Sequence, residues 1–95
     1  MPEEPSLHDA TLVSVELLWA QGRCNLELLV VGAGPSELTF VGVTGIHLPR
    51  RHPWGPSVYV NAFRTVEPGS FELELQSGDV LCIKAESWSF KQVAG

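Results

Sequence analysis

Residues 71–86 read FELELQSGDVLCIKAE, and their pattern decides the fold class. Phe71, Leu73 and Leu75 alternate with Glu72, Glu74 and Gln76, the two-residue period of a strand with one face in a core and the other in water. If Ser77, Gly78 and Asp79 form the loop that follows, the chain returns with Leu81 opposite Leu75, Ile83 opposite Leu73 and Ala85 opposite Phe71. That register also sets Glu72 across from Lys84, a favourable cross-strand pair.

The same period extends in both directions. Downstream, Trp88 and Phe90 continue the last strand. Upstream, residues 58–66 form a strand with Val58, Val60, Ala62, Arg64 and Val66 on one face and Tyr59, Asn61, Phe63 and Thr65 on the other; Glu67-Pro68-Gly69-Ser70 is the turn after it. Near the start, Val13, Val15, Leu17 and Trp19 alternate with more polar neighbours, and β-branched content favours strand over helix. A two-residue loop at Gln21-Gly22 would pair Trp19 with Cys24, Leu17 with Leu26, Val15 with Leu28 and Val13 with Val30. It would also oppose Glu16 and Glu27, a like-charge pair, while Leu18, Leu29 and Val31 make the second face partly apolar. The run from Gly32 to Glu37, GAGPSE, reads as a turn, and a third strand follows through Leu38, Phe40, Val41 and Val43. Gly42 and Gly45, with a shift in apolar phase between Phe40 and Val41, signal a bulge or sharp bend. The expectation is an all-β domain of about six antiparallel strands in a sandwich or strongly curved sheet, with short loops except for a Pro-rich central one.

At 95 residues the chain is read as a single β domain spanning 1–95, with residues 1–6 frayed. Its hydrophobic fraction of 44% is that of a globular protein. A net charge of −5 with six Lys and Arg argues against nucleic acid, since attraction to phosphate backbones is missing. No apolar run reaches the roughly 20 residues of a membrane span, and MPEEPSLHD carries acids where a secretory signal carries bases. A cytoplasmic location is expected, with Cys24 and Cys82 as reduced, structural thiols.

The one long interruption of the strand pattern is residues 47–57, HLPRRHPWGPS. Arg50, Arg51 and Trp54 belong to residue types enriched in binding hot spots, and the prolines lower the entropy cost of presenting them. With His52 they make a local positive spot that suits an acidic protein partner; the competing reading has Trp54 plugging one end of the sheets. Arg64, in phase with Val60 and Ala62, is a further candidate, either as an anion-binding guanidinium or as an arginine snorkelling at a sheet edge. His8, Asp9, His47 and His52, with Arg64, are the residues of an alternative small-ligand or metal-dependent activity. Their spacing matches no metal motif, and local turn and capping hydrogen bonds are the favoured reading of His8 and Asp9. Ser36 and Ser57 have no nucleophile-elbow setting and Cys24 falls on a core face, so no catalytic residue, metal ligand set or cofactor is assigned, and an enzyme is not expected.

Three stretches, LHDATLVSVELLW, PWGPSVYVN and ELELQSGDVLCIKAE, resemble a family of small uncharacterised bacterial β-rich proteins that open with an H-D-A or H-D-S element and carry a P-W-G-P-S loop. Some small families of this kind are taken to be immunity proteins, which bind and neutralise a toxin. The resemblance implies His8, Asp9, Trp54, Gly55 and Pro56 as signature positions, without a chemical role for any of them. Together these readings favour a non-enzymatic protein-binding module that uses the 47–57 loop. A homodimer is a further expectation, because small β domains often pair or guard an edge strand.

Overall fold

A computed structural model of the chain describes residues 7–48 and 58–93. The alternating runs become eight strands: β1 (Thr11–Leu18), β2 (Arg23–Val30), β3 (Gly34–Val41), β4 (Gly45–His47), β5 (Val58–Glu67), β6 (Ser70–Leu75), β7 (Val80–Lys84) and β8 (Ser87–Gln92). A single turn of 3-10 helix, Trp19–Gln21, lies between β1 and β2. All pairings are antiparallel, in the order β4-β7-β6-β5-β1-β2-β3-β8.

The count is eight because the third and sixth expected strands each bend and split. The bend that Gly42 signalled falls between β3 and β4, and a matching bend at Ala85 and Glu86 separates β7 from β8. Backbone bonds continue the β3–β8 ladder into the β4–β7 ladder across both bends: Glu86 N–H donates to Val41 O at 2.9 Å and Thr44 N–H to Lys84 O at 2.8 Å. The two ends of the sheet are thereby tied together, and the sheet curls around one core. Gly42 makes the corner with φ 69°, a left-handed conformation that glycine adopts without strain.

Inside the curl Phe40 of β3 meets Phe71 and Phe63, at ring-centroid distances of 5.5 and 6.1 Å, and Trp88 sets its edge on Phe63 at 5.4 Å. Leu7, Leu26, Leu28, Leu38, Leu73 and Ile83 complete the fully buried set with Val60 and Cys24. Burying one such side chain stabilises the fold by roughly 1.5–3 kcal/mol before entropy is counted, so the interior faces of the strands determine the curl.

Three details depart from the sequence expectations. Both hairpins are out of the expected register by two residues. Leu75 N–H bonds to Asp79 O, so the loop is Gln76-Ser77-Gly78, Leu73 faces Leu81 and Phe71 faces Ile83. Glu72 lies opposite Cys82 rather than Lys84, although a two-residue slip keeps every side chain on its expected face. In the first hairpin Leu17 faces Cys24 and Val15 faces Leu26, because residues 19–22 form the connection and Trp19 has left the ladder. Glu16 then faces Asn25 and receives its amide at 3.2 Å, while Glu27 accepts from Ser14 Oγ at 2.8 Å; the Glu16–Glu27 opposition does not arise.

Second, the GAGPSE run is mostly strand, since β3 starts at Gly34 and only Val31, Gly32 and Ala33 turn the chain. Third, β5 does not keep one phase. A register shift between Val60 and Ala62 lets Val60 and Phe63 both enter the core and turns Arg64 to the outward face, level with Glu72. That face is not covered near β2: Leu29 and Val31 are exposed, and the structure gives them no second layer among the described residues.

A Cβ added at Gly42 would have to displace the Glu86 side chain, whose Oε2 is 2.5 Å from that point, as well as hold a left-handed φ. Gly42→Ala is therefore expected to lower the unfolding free energy by about 1–3 kcal/mol in urea titrations. Gly32→Ala, with a positive φ but open space around it, should lose less.

Candidate functional site

The β1–β2 connection determines the most distinctive surface. Trp19-Ala20-Gln21 makes one tight turn that Gly22 closes at φ 63°, its N–H on Trp19 O at 3.2 Å, and none of the three helical residues is buried. Gly22 O in turn accepts Val43 N–H at 2.8 Å, which docks the turn against the β3–β4 bend. Trp19 is left 85% exposed, an unusual state for so large an apolar side chain. Beside it opens a cavity of about 470 Å³ lined by Leu17, Trp19, Gly22, Val43, Gly45 and Ile46. Val15 and Leu17 are on the inward face of β1 and still 37% exposed, although their partners Leu26 and Cys24 are fully buried.

This groove was missed in the sequence because the two-residue-loop assumption placed Trp19 in the core. A Gly after three turn residues, the pattern of a longer hairpin connection with glycine at the left-handed position, was the available signal.

A second, polar cleft of about 420 Å³ lies where the N-terminal turn crosses β5 and the β6–β7 loop; His8, Asp9, Asn61, Glu74 and Gln76 line it. His8 Nδ1–H donates to Asn61 O at 3.0 Å, leaving Nε2 3.6 Å from Asp9 Oδ1. Gln76 Nε2 donates to Asp9 Oδ1 at 2.7 Å and to Val60 O at 3.2 Å. Asp9 holds φ 68°, the only positive φ outside glycine among the described residues, and its N–H bonds Val60 O. His8 and Asp9 sit in a turn, and their side chains converge. Their partners are distant in sequence, so the pair pins Leu7 and Ala10, both buried, onto β5.

Arg64 donates to Glu72 Oε1 at 3.2 Å and to Glu74 Oε1 at 3.4 Å, and Glu74 also accepts from Asn61. Its guanidinium is matched by two carboxylates on the outward face rather than aimed at a pocket floor. His47, the last residue of β4, lies opposite Cys82 on β7, away from His8 and Asp9 in the strand order. Among the described residues no three His, Cys, Asp or Glu side chains are grouped to hold a metal ion. Arg50, Arg51, His52 and Trp54 lie outside the described residues. Residue 48 ends the described part of the chain just after β4, so their segment departs from the strand whose Ile46 lines the apolar groove.

Both cysteines are free thiols. Burial in the core pushes the Cys24 thiol above its ordinary value, because the thiolate would lose its hydration there.

No family model matches the chain, and no curated protein matches it significantly. Among solved structures it is similar to an uncharacterized protein from Neisseria gonorrhoeae, at 13% sequence identity and a TM-score of 0.57, over 90% of this chain and 93% of that one. The likeness concerns the fold alone. No helix among the described residues is long and apolar enough to cross a membrane.

The thiol environments predict different reactivities. Ellman's reagent should titrate Cys82, which is half-buried, in the native protein, and Cys24 only after urea unfolding. Since the unfolded Cys24 ionises at lower pH than the folded one, alkaline pH above the ordinary thiol range should favour unfolding, and Cys24→Ala should weaken that dependence.

Proposed function

We propose that the chain is a non-enzymatic protein-binding module that uses the Trp19 groove and the 47–57 loop. One observation carries this reading: an 85% exposed tryptophan stands beside an apolar cavity lined by residues of β1 and β4. Exposed aromatic anchors beside a concave apolar surface are the usual make-up of a binding hot spot, and scattered surface apolar residues do not make such a cavity. The 47–57 loop also contains Arg50, Arg51, His52 and Trp54, and the two arginines suit an acidic patch on the partner. The resemblance to small bacterial β-rich families supports a finer version, an immunity-type protein whose partner is a toxin. A reducing bacterial cytoplasm is the setting that goes with two free cysteines.

The alternative, a small-ligand site, has the polar cleft of His8, Asp9, Asn61 and Gln76 in its favour. Its hydrogen bonds are nearly all made within the protein, which supports a structural role more than a recognition one.

The test is capture of partners from the native host with the purified protein, identified by mass spectrometry. Trp19→Ala and Arg51→Ala should each release the captured partner, whereas Val31→Ala, at a 73% exposed residue away from the groove, should not. Trp19→Ala should leave stability within about 0.5 kcal/mol, as substitutions at exposed sites do. A partner retained equally by all variants would refute the groove as the binding surface.

A further inference from the structure

The outward face of β4, β7 and β6 carries a row of side chains with metal-binding chemistry. Strand pairing sets His47 of β4 directly opposite Cys82 of β7, and Cys82 opposite Glu72 of β6. All three point away from the core, because Ile46 packs against it while Leu81, Ile83, Phe71 and Leu73 are buried within it. His47 is exposed, and Cys82 is half-buried with a free thiol.

Cross-strand neighbours have Cβ atoms about 4.5–5.5 Å apart, and bonds of about 2.3 Å to sulfur and 2.0 Å to nitrogen let one zinc ion reach a thiolate and an imidazole over that span. Thiolate with imidazole suits zinc rather than a hard cation such as magnesium. Two donors are half of a tetrahedral set, and the described residues of one chain do not supply the rest. Glu72 is held by Arg64 at 3.2 Å, and among the described residues no three His, Cys, Asp or Glu side chains are grouped to hold a metal.

A second copy of the chain completes the set, and the charges on either side of the row favour one way of bringing it up. Along β7 on the same face, Lys84 stands beyond Cys82 in one direction; in the other, Val80 lies opposite Glu74. Arg64 is shared between Glu72 and Glu74, so one negative charge is left over on that side. A two-fold axis along the His47–Cys82 row turns one copy end for end over the other, which sets Lys84 of each towards the Glu74 side of its mate. We infer that His47 and Cys82 form half of a zinc site, completed by the same two residues of a second copy as a centre of two cysteines and two histidines. Each thiol gives its proton to the solvent as its Zn–S bond forms, and the imidazoles bind neutral. The inference does not use the Trp19 groove and stands apart from the protein-binding reading.

The test takes the full chain, kept reduced and stripped with a chelator, and titrates one sample with zinc and another with cobalt(II). Zinc should bind at one ion per two chains and double the mass measured by light scattering from the 10.4 kDa of one chain. It should also keep Ellman's reagent from Cys82. Cobalt should give a thiolate charge-transfer band and the intense visible bands of a tetrahedral centre. Cys82→Ser and His47→Ala should each abolish the bands and the zinc-dependent dimer, whereas Cys24→Ala, at a core thiol, should keep both. Lys84→Glu should weaken the dimer at least about twofold, the low end for two exposed charge pairs.

A chain that gives no tetrahedral cobalt spectrum has no such site. Metal binding that survives His47→Ala or Cys82→Ser would overturn the pair as its donors. One ion bound per monomer would overturn the second copy, since the chain would then complete the set by itself. A dimer indifferent to Lys84→Glu would overturn the axis along the row.

Discussion

The structure depends on the corner where two strands bend together. Four backbone hydrogen bonds meet there: Glu86 to Val41, Thr44 to Lys84, Val43 to Gly22 and Ala85 to Gly69, all between 2.8 and 3.1 Å. The first two keep a pair of bent strands in register through the turn. The other two fasten the β1–β2 and β5–β6 turns against the same corner. Each bond alone contributes about 1 kcal/mol, yet unpaired backbone groups at a buried corner would cost more than that, so the four act as a condition for bending at all. With the corner closed, Phe40 is brought over Phe63 and Phe71, and the apolar faces of distant strands share one core.

The corner also explains where the sheet closes again. A sheet tied together at β3–β4 and β7–β8 must join again at β1 and β5, where among the described residues Thr11 pairs with Tyr59 and Leu12 with Val58. Val60 pairs backward to Ala10 and Asp9, and the His8–Asp9 turn with Gln76 reinforces this short seam from outside. The left-handed φ of Asp9 is accepted where the chain must turn into β1 while Leu7 and Ala10 both stay buried. An H-D-A element is thus given a structural duty: it fastens the seam next to its described ladder bonds.

Much of the fold was legible in the sequence, because alternation with period two survives wherever one face is buried. Phe71, Leu73, Leu75, Leu81 and Ile83 were all read as inward and are. Gly42 marked the bend for a reason tied to backbone sterics alone. The registers were not legible, since hairpins with two, three or four connecting residues fit the same alternating pattern when the slip is an even number. The bulge after Val60 was also hidden: nothing in VYVNAF distinguishes one continuous phase from Val60 and Phe63 both facing inward. Arg64 was misplaced by that one residue. Its apparent need for a buried anion disappears once Glu72 and Glu74 are seen beside it.

The candidate site was less legible than the fold, for a related reason. Hydrophobic alternation ended on Trp19, and a tryptophan ending an apolar face reads as core. The structure places it outside because three turn residues and Gly22 take up the chain before the ladder resumes at Arg23. A fold selected for stability alone would gain by replacing an 85% exposed indole with a polar turn residue, and that has not happened in this chain. That exposure is also not a general looseness, since Cys24 and Leu26, directly across the ladder, are fully buried. The turn that carries Trp19 is fastened to the β3–β4 bend by the Gly22 O–Val43 N–H bond, so the indole stands on a clamped corner. A surface held that way needs little reordering on contact, which supports the groove as the binding surface proposed for it.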